Sequence, residues 1–589
     1  MKKTVTLLLA LMLCFSVFPI VCAEPISDFA EEAEKIFAIP EMQYRPYARW
    51  WLAEGSHTDE TLRESIRELY DAGYGGLEFV TLDESQYLDS AAYAWGSPEW
   101  IHDTRVIIEE CRNLGMSVSM TSGTHWATAN LVSITPDEEA ASQELGYITI
   151  TLEASEEGKC ASFEGELPQC KLPRNTKEQH LVRVLAAKVT ERGSTKLVKG
   201  KVVPTRIDLA GIQDITELVE ENNGRYTLCY TAPEAGEYDL FAFYQYGTGE
   251  SYSPAISNSY TINYLSREGA RALIEYWDTE VLTPEVREVI REIDECDMYM
   301  DSLELSVHGP NTTGQLWCVD MQEQFEERNT YGISLFLPFL IKTGGTFGSP
   351  NAYFYEPTNG EDRLFVENLR NDFMQTQTEL YMENCLRILA DWLHSRHMKL
   401  RAENSYGAPF EISEPAKVLD YIETESMEFG NELDSYRNMA GGAHLFNKRL
   451  SSETGAWISG NYVYDNNYYR QVFYMQYAAG VQKTITHGYS AEYGPEEYVQ
   501  WPGFEGMDAV WSERFNKRQP AAVDYPAQNL HYSRIQKALE AGVPQIDLAI
   551  LRTDYAFNNR LTNGGLESFV EKGYTATKLI HRMLITGEI

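Results

Sequence analysis

Arg45-Pro-Tyr-Ala-Arg-Trp-Trp-Leu52 opens the segment that decides the fold class. This apolar and aromatic run predicts a β-strand. Two further strand-like runs, Gly76–Leu82 and Met116–Thr121, follow at intervals long enough for one helix each. Alternation of strand and helix is typical of βα units arranged around a parallel sheet.

Helix start and stop signals occupy both intervals. Thr58 is placed to cap the first helix, and Gly73 to end it. The pair Ser97-Pro98 is a capping residue followed by a first-turn proline, and Gly115 ends the second helix. The first part of the chain therefore reads as two complete βα units and a third strand.

The pattern changes near Tyr147. Runs rich in Thr, Val and Tyr, such as Tyr147–Leu152 and Tyr226–Tyr230, are separated by Gly, Pro and Asn turns until about Tyr264. Short alternating strands of this kind predict an inserted β-sandwich at residues 146–265.

The βα pattern then resumes with a helix around Glu268–Trp277, and a long helical stretch follows at about Phe365–His397. Further strands are predicted at Met298–Leu305, Lys399–Asn404, Tyr421–Ser426, His444–Ser451 and Lys483–Tyr489. The set is about what a (β/α)8 barrel requires. We therefore predict an α/β fold, a TIM-like barrel interrupted by a β domain.

The ends of the chain complete the predicted organisation. Met1-Lys-Lys followed by a short apolar run predicts an export signal cut after Ala23. Ile546–Leu551 resembles the strand of a partial α/β unit, with a helix around Thr575–Leu584. The predicted divisions are a signal peptide (1–23), the first part of the barrel (24–145), the insertion (146–265), the rest of the barrel (266–543) and the partial unit (544–589).

Composition limits the location and the partners of the protein. The 589 residues are 43% hydrophobic and carry a formal net charge of −39. Such an acidic chain repels nucleic acid and anionic membranes, so neither is an expected partner. We expect a secreted or cell-envelope protein, with no membrane insertion of the mature chain. The cysteines give no dense disulfide framework; a Cys160–Cys170 bridge and free buried thiols are both compatible with their spacing.

Two acidic residues stand where catalysis in such barrels takes place. Glu304 is the last residue but one of the run Met298–Leu305, and Glu453 follows the predicted strand His444–Ser451. Active sites of (β/α)8 barrels lie at the C-terminal ends of the strands. Paired carboxylates hydrolyse sugar bonds because one protonates the leaving oxygen while the other activates water or attacks the sugar. The alternative for either residue is a solvated surface acid or a strand-end salt bridge.

Several runs, taken in order, resemble the α-L-rhamnosidases of glycoside hydrolase family 106 and related proteins. The runs are Arg49-Trp-Trp51, Gly75-Gly-Leu-Glu-Phe79, Ser97-Pro-Glu-Trp100, Leu114–Thr121, Asp301-Ser-Leu-Glu304, Arg401-Ala-Glu403 with Tyr406-Gly407, and Ser452-Glu453. The resemblance implies a barrel with β-sandwich insertions, inverting cleavage of terminal α-L-rhamnosyl bonds and a calcium ion near the substrate. By this analogy Glu304 is the general acid and Glu453 the general base.

The chain also departs from that family pattern. Leu52-Ala-Glu-Gly55 stands where family members commonly have Pro-Gly-Gly, and Gly123-Thr-His-Trp-Ala127 replaces a Gly-Trp-Pro run. These loops line the sugar pocket in the family, so the exact sugar is open.

Further acids are candidates for binding calcium or sugar hydroxyls. Glu423 and Glu425 flank Thr424 on a predicted strand. We expect only one of them to point into the barrel, and Glu425, at the strand end, is the predicted calcium ligand because hard cations prefer carboxylate oxygen. The alternative is that both pair with Arg or Lys. Glu403, which also ends a strand, is expected to bind sugar hydroxyls.

Aromatic and histidine side chains near strand exits are expected to contact the sugar of an oligosaccharide or polysaccharide substrate. The residues are Trp51, Trp126, His125, His308 and His487. Tryptophan rings present flat apolar walls to sugar faces. No HExxH-type spacing is present, so the motifs give no indication of zinc.

Two other functions are compatible with the same features. The barrel could act on a different glycoside, or it could be a carbohydrate-binding protein that has lost catalysis. Neutralising either acid of a mere binder would leave its ligand affinity nearly unchanged.

Overall fold

A computed structural model describes most of the chain. The described residues are 31, 33–35, 37–53, 57–82, 95–123, 129–153, 158–198, 201–251, 259–305, 307, 314–342, 352–404, 411–430, 433–456, 463–490, 515–517, 519–546, 548–552 and 576–580. Met1–Glu41 form one compact unit and Met42–Ile589 a second, which carries all the elements below. The predicted signal peptide lies outside the described residues.

The strands of the second unit fall into one barrel and several smaller sheets. In chain order they are β1 (Tyr47–Ala53), β2 (Gly76–Leu82), β3 (Ser117–Thr121), β4 (Asn130–Leu131), β5 (Gln143–Leu152), β6 (Cys160–Glu166), β7 (His180–Glu191), β8 (Ser194–Val198), β9 (Lys201–Val203), β10 (Thr205–Ile207), β11 (Gln213–Asp214), β12 (Val219–Asn222), β13 (Arg225–Ala235), β14 (Glu237–Gly247), β15 (Tyr260–Thr261), β16 (Cys296–Met300), β17 (Gln315–Trp317), β18 (Tyr355–Pro357), β19 (Lys399–Glu403), β20 (Tyr421–Glu425), β21 (Arg449–Thr454), β22 (Lys483–Ser490), β23 (Leu548–Arg552) and β24 (Ala576–Ile580).

Eight parallel strands close into a barrel in the order β1-β2-β3-β16-β19-β20-β21-β22, with β22 pairing β1. The predicted (β/α)8 barrel is therefore confirmed. Its strands keep the chain order, and most strands of the smaller sheets lie between the third barrel strand, β3, and the fourth, β16.

Helices lie between the barrel strands, and one more follows the last of them. They are α1 (Asp59–Asp71), α2 (Pro98–Leu114), α3 (Arg267–Tyr276), α4 (Pro284–Ile290), α5 (Met321–Arg328), α6 (Arg363–Leu380), α7 (Arg387–His394), α8 (Ser426–Phe429), α9 (Leu433–Leu445), α10 (Asn466–Ala479) and α11 (Tyr525–Ala541). The predicted caps are confirmed. The side chains of Thr58 and Ser97 accept hydrogen bonds from the first turns of α1 and α2, and Gly115 closes α2 with φ of 68°.

The inserted β region consists of two facing sheets. A mainly antiparallel sheet runs β17-β5-β14-β7-β10-β18, and a three-stranded sheet runs β12-β13-β6. Side chains of β13 and β14 share one apolar cluster between the two sheets. The larger sheet recruits β17 and β18, which follow the barrel strand β16 in sequence and lie outside the predicted range 146–265. The limits given above for the insertion and the other domains remain sequence-based predictions.

Strand β14 is buried along nearly its whole length, whereas β13 alternates between buried and exposed residues. One face of β14, with Leu240 and Tyr244, packs against the smaller sheet. The other face, with Phe241 and Phe243, joins the main core that also fills the space around the barrel. The larger sheet is thus sandwiched between the barrel region and the smaller sheet.

Three sequence-based boundaries differ from the structure. His444 lies in helix α9, and the strand predicted at His444–Ser451 begins later, at Arg449. The predicted helix Phe365–His397 is α6 and α7 joined by a π-helical turn at Tyr381–Leu386. The helix predicted around Thr575–Leu584 is wrong, because Ala576–Ile580 forms strand β24, parallel to β23. A strand partner distant in sequence overrides local helix propensity there.

The cysteines of the described residues are all free thiols. Cys160 is exposed and Cys170 is buried, so the bridge between them does not form. Among the described helices, none combines the length and the apolar character needed to cross a bilayer.

Phe241→Ala tests whether the inserted sheet is held against the main core. Phe241 is fully buried, and its ring contacts that of Tyr355 edge-on at 4.9 Å. We expect truncation to lower the free energy of unfolding by about 3–5 kcal/mol because it removes a core aromatic and leaves a cavity. Leu218→Ala, at a side chain 46% exposed, should change it by less than about 0.5 kcal/mol. Urea unfolding followed by tryptophan fluorescence measures both; equal midpoints for the two variants would contradict the packing.

Candidate active site

Carboxylates collect at the C-terminal ends of the barrel strands. Glu403 and Glu425 are the last residues of β19 and β20, and Glu453 is the last but one of β21. Asp301 and Glu304 follow β16 directly. Because all barrel strands are parallel, these ends meet on one face of the barrel.

Arg49 joins three of the barrel's acids from inside. Its Nε donates a hydrogen bond to Glu78 Oε1 at 2.5 Å, and its Nη1 lies 2.5 Å from Glu453 Oε2 and 3.1 Å from Asp301 Oδ2. The arginine is 1% exposed. It therefore supplies a fixed positive charge directly beneath the candidate base, Glu453.

Arg401 forms a second, neighbouring node. Its Nη1 contacts Glu423 at 2.5 Å, its Nε contacts Asp297 at 3.4 Å, and its Nη2 contacts the second oxygen of Glu78. Both guanidinium groups lie over the ring of Tyr299, at 4.0 Å for Arg401 and 4.9 Å for Arg49. Glu78 and Tyr299 thus connect the two arginines in one buried network.

Asp301, Glu403 and Glu453 form a tight trio above Arg49. Each offers a carboxylate oxygen, and these oxygens all lie within 4.8 Å of one another. Tyr299 OH donates a hydrogen bond to Glu403 at 3.0 Å. Burial and like charges disfavour ionisation of all three.

The pKa values of the trio follow from that crowding. Burial raises the pKa of Glu453 to about 8 and that of Asp301 to about 6, although Arg49 opposes both increases. Burial and then the neighbouring charge of Glu425 hold the pKa of Glu403 well above its usual range. The trio therefore carries fewer negative charges at neutral pH than three independent carboxylates would.

Glu304 lies beside this trio and is only partly buried. Ser302 Oγ donates a hydrogen bond to Glu304 Oε1 at 3.1 Å. Burial, followed by the charge of Asp301, raises the pKa of Glu304 to about 7. A carboxyl group with this pKa is protonated in a large fraction of molecules at neutral pH, as a general acid must be.

His487 is buried on β22, with Nε2 3.7 Å from Glu453 Oε1. Burial and then the charge of Arg49 hold the pKa of its ring well below the usual range. A neutral ring at this distance gives Glu453 little electrostatic support. The sequence-based expectation placed His487 near the exit of the last strand, and the structure places it within that strand.

The expectation that only one of Glu423 and Glu425 points into the barrel is wrong. Residues two apart on a strand share a face. Both side chains are buried, and both raise the pKa of Glu403 through their charge. Glu423 pairs with Arg401, as the alternative interpretation proposed.

The donor set around the trio fits a hard cation. Carboxylate oxygens are the ligands that calcium prefers. Their spacing, within 4.8 Å, is about twice a calcium–oxygen bond length. Glu425, the residue predicted from sequence to bind the metal, is not part of this described trio, but it stands next to Glu453 in the register of β20 and β21.

Several predicted substrate contacts lie outside the part of the chain that the structure describes. Trp126, His125 and His308 lie outside the described residues, and only the backbone of Trp51 is described. Sequence reasoning overlooked Arg49, Arg401 and Glu78 as site residues. Their signal was present, since buried-strand patterns interrupted by a charged residue indicate a polar interior at that point.

Comparison with known proteins supports the fold. No family model matches this chain, and no curated protein sequence matches it. Its structure is similar to that of a rhamnosidase from Novosphingobium sp. PP1Y, with a TM-score of 0.69 and 14% identity, covering 94% of this chain and 64% of that chain. The chain thus spans somewhat under two thirds of that rhamnosidase.

Two other solved structures are more distant. A β-galactosidase from Bacillus circulans sp. alkalophilus has a TM-score of 0.40 and 11% identity, covering 91% of this chain and 65% of that chain. The catalytic domain of a β-amylase from Paenibacillus polymyxa has a TM-score of 0.34 and 9% identity, covering 75% of this chain and 91% of that chain. At these scores only the first similarity bears on the fold, a (β/α)8 barrel with added β-sheets.

Proposed function

We propose that this protein is a glycoside hydrolase that removes a terminal α-L-rhamnosyl or similar deoxysugar residue by an inverting, two-carboxylate mechanism. The observation that carries the proposal is the pairing of Glu304, partly buried with a pKa near 7, with the Arg49-anchored Glu453 at the same end of the barrel. The ordered motifs shared with glycoside hydrolase family 106 support the choice of sugar.

Glu304 suits the role of general acid. Its raised pKa keeps a proton available at neutral pH, and its partial exposure lets that proton reach a glycosidic oxygen. The three acids of the trio and Glu425 lack the second property, because Asp301, Glu403, Glu425 and Glu453 are all buried.

Glu453 suits the role of general base once it is ionised. Its contact with Arg49 favours the carboxylate, while burial and the neighbouring acids favour the protonated form. Its pKa of about 8 lies above that of Glu304, so the productive state, with Glu304 protonated and Glu453 ionised, needs additional positive charge nearby.

Calcium is the proposed source of that charge. Asp301 and Glu403 would hold the ion beside Glu453, with Glu425 close by. When bound, calcium would add positive charge to the trio and offer coordination positions for sugar hydroxyls. Glu403 and His487, together with Trp51, Trp126, His125 and His308, are the proposed substrate contacts.

The substrate is proposed to be an oligosaccharide or polysaccharide met outside the cytoplasm. The signal-like residues 1–23 and the net charge of −39 support a secreted or cell-envelope location. The same barrel acting on another glycoside remains an outcome of the substrate test below.

A second candidate function is carbohydrate binding without catalysis. The observation that favours it is the burial of Glu453 beside Arg49, since a 2.5 Å pair between side chains 1% and 3% exposed can be purely structural. Sugar binding without release of sugar from any glycoside would identify this function.

Glu304→Gln and Glu453→Gln separate the two catalytic roles through leaving-group dependence. With a methyl α-L-rhamnoside, whose leaving group needs a proton, each change should lower kcat/KM by about 10²–10⁴-fold. With a dinitrophenyl α-L-rhamnoside, the dinitrophenolate group leaves without a proton. The kcat/KM of Glu304→Gln should then be close to that of the wild type, whereas that of Glu453→Gln should stay low. Glu367→Gln, at an exposed position of α6, is the matched control and should retain wild-type rates. Equal losses on both substrates for both variants would overturn the assignment, and a wider panel of aryl glycosides identifies the sugar.

The dependence of kcat/KM on pH should reveal both acids and the calcium. A general acid must be protonated, so activity should fall as the pH rises through about 7, the pKa of Glu304. A general base must be ionised, so activity should rise with pH through the pKa of Glu453, which is about 8 without a cation. Calcium should move that rise to lower pH and increase the maximum rate, and a chelator should reverse the change. An identical profile in calcium and in chelator would contradict the metal proposal.

A further inference from the structure

A second group of metal-binding side chains lies away from the carboxylate trio, where helices α1 and α2 begin. His57 and Asp59 flank Thr58, the cap of α1, and His102 and Asp103 are in the second turn of α2. Ligand atoms of Asp59, His102 and Asp103 all lie within 4.8 Å of one another. His57 Nδ1 is 3.4 Å from Asp103 Oδ2, so a fourth side chain adjoins the group through Asp103.

His57 is the member of the group whose buried ring has no hydrogen bond, within the described part of the chain, that would explain its position. Its side chain is only 6% exposed, yet neither ring nitrogen has a hydrogen-bond partner among the described residues. Leaving a buried polar group without a partner destabilises the folded state. A metal ion between the imidazole and Asp103 would satisfy one of those nitrogens.

Helix capping and ordinary ion pairing account for only some of these four side chains. Acidic residues are favoured in the first turn of a helix, and His102 Nε2 contacts Asp59 Oδ1 at 2.8 Å as an ordinary ion pair would. That explanation covers Asp59 and His102. It leaves the buried imidazole of His57 facing the carboxylate of Asp103.

The two helices hold the four side chains in position. Thr58 and Thr61 form a reciprocal capping box that fixes the backbone between His57 and Asp59. Farther along, Arg63 and Arg67 of α1 both contact Glu110 of α2, at 3.1 and 2.8 Å. The site is therefore built on two fixed elements, not on a single loop.

The donor chemistry selects the class of ion. Two imidazoles and two carboxylates suit zinc and similar first-row ions, whereas calcium is bound by oxygen alone. Tetrahedral zinc with bonds of about 2.0–2.1 Å separates its ligand atoms by about 3.3 Å. The His57–Asp103 distance of 3.4 Å already matches that edge, and the 2.8 Å contact of His102 with Asp59 needs to widen by only a fraction of an ångström.

We propose that His57, Asp59, His102 and Asp103 bind one zinc-class divalent transition-metal ion that joins the start of α1 to the start of α2. Both helices begin at the end of the barrel where the strands finish, so the ion would fasten two neighbouring βα units at the rim of the candidate active site. The side chains of His102 and Asp59 are 41% and 55% exposed, which gives the ion access from solvent. The spacing of the four residues matches no short zinc motif, because His57 and Asp59 lie at the start of α1 whereas His102 and Asp103 lie in α2.

The test compares zinc retention between variants of the full-length protein. Protein stripped with a chelator is incubated with zinc, passed through a desalting column, and assayed for zinc by elemental analysis and for its melting temperature. His57→Ala, His102→Ala and Asp59→Asn remove single ligands. His394→Ala is the matched control, because His394 makes an equivalent 2.8 Å contact with Asp420 but has no third ligand among the described residues.

We expect the wild type and His394→Ala to retain one more zinc per chain than His57→Ala and His102→Ala, and their melting temperature to rise more with zinc. Cobalt in place of zinc should give the intense visible absorption of a four-coordinate ion in the wild type and in the His394→Ala control, and not in the variants that lack a ligand. Because the carboxylate trio is unchanged in every variant, zinc bound there cancels in the comparison.

Equal zinc content in His102→Ala and the wild type, or no retained zinc in the wild type, would overturn the proposal. If His57→Ala fails to fold, the exposed positions His102 and Asp59 decide the result. None of these readouts requires glycosidase activity.

Discussion

The buried guanidinium of Arg49 is the group on which the candidate active site depends. It contacts Glu78, Asp301 and Glu453 inside the barrel. Glu78 also forms an ion pair with Arg401. Acids this deeply buried are stable only when they are paired or protonated. Removing one partner from such a pair costs about 3–5 kcal/mol because the other charge is left buried alone. The arginine thus fixes the position of Glu453 and also partly offsets the effect of burial on its pKa.

The barrel interior holds more acids than the two arginines can neutralise. Asp297, Glu78 and Glu423 lie around Arg401 and Arg49, and Asp301, Glu403, Glu425 and Glu453 lie nearer the strand ends. The excess explains why burial and like charge raise the pKa values of the acids above Arg49. It also gives a physical reason to expect a bound cation there, since a cation reduces the charge as protonation does. Glu304 stands at the edge of this group, where a raised pKa is combined with access to a substrate.

Sequence patterns predicted the parts of the fold that depend on local chemistry. Thr58, Ser97 and Gly115 mark helix ends through capping, which involves only a few neighbouring residues, and the strand Gly76–Leu82 was predicted with its observed limits. Glu304, Glu403 and Glu453 could be chosen as candidates because the ends of barrel strands can be located along the chain. The patterns failed where distant segments meet: β24 was predicted as a helix, and β17 and β18 were not expected to complete the inserted sheet. Arg49, and the pairing of His57 with Asp103, are also products of tertiary structure, since their partners are distant in sequence.

The measurement that tests the central claim most directly is the configuration of the sugar at the moment of its release. Proton NMR of wild-type protein acting on an aryl α-L-rhamnoside in calcium resolves the first anomer formed before mutarotation. The account predicts that the β anomer appears first, because water attacks opposite the departing group when two carboxylates are about 6.5–9.5 Å apart. Release of the α anomer first would contradict the roles given to Glu304 and Glu453, and the absence of any released sugar would contradict catalysis.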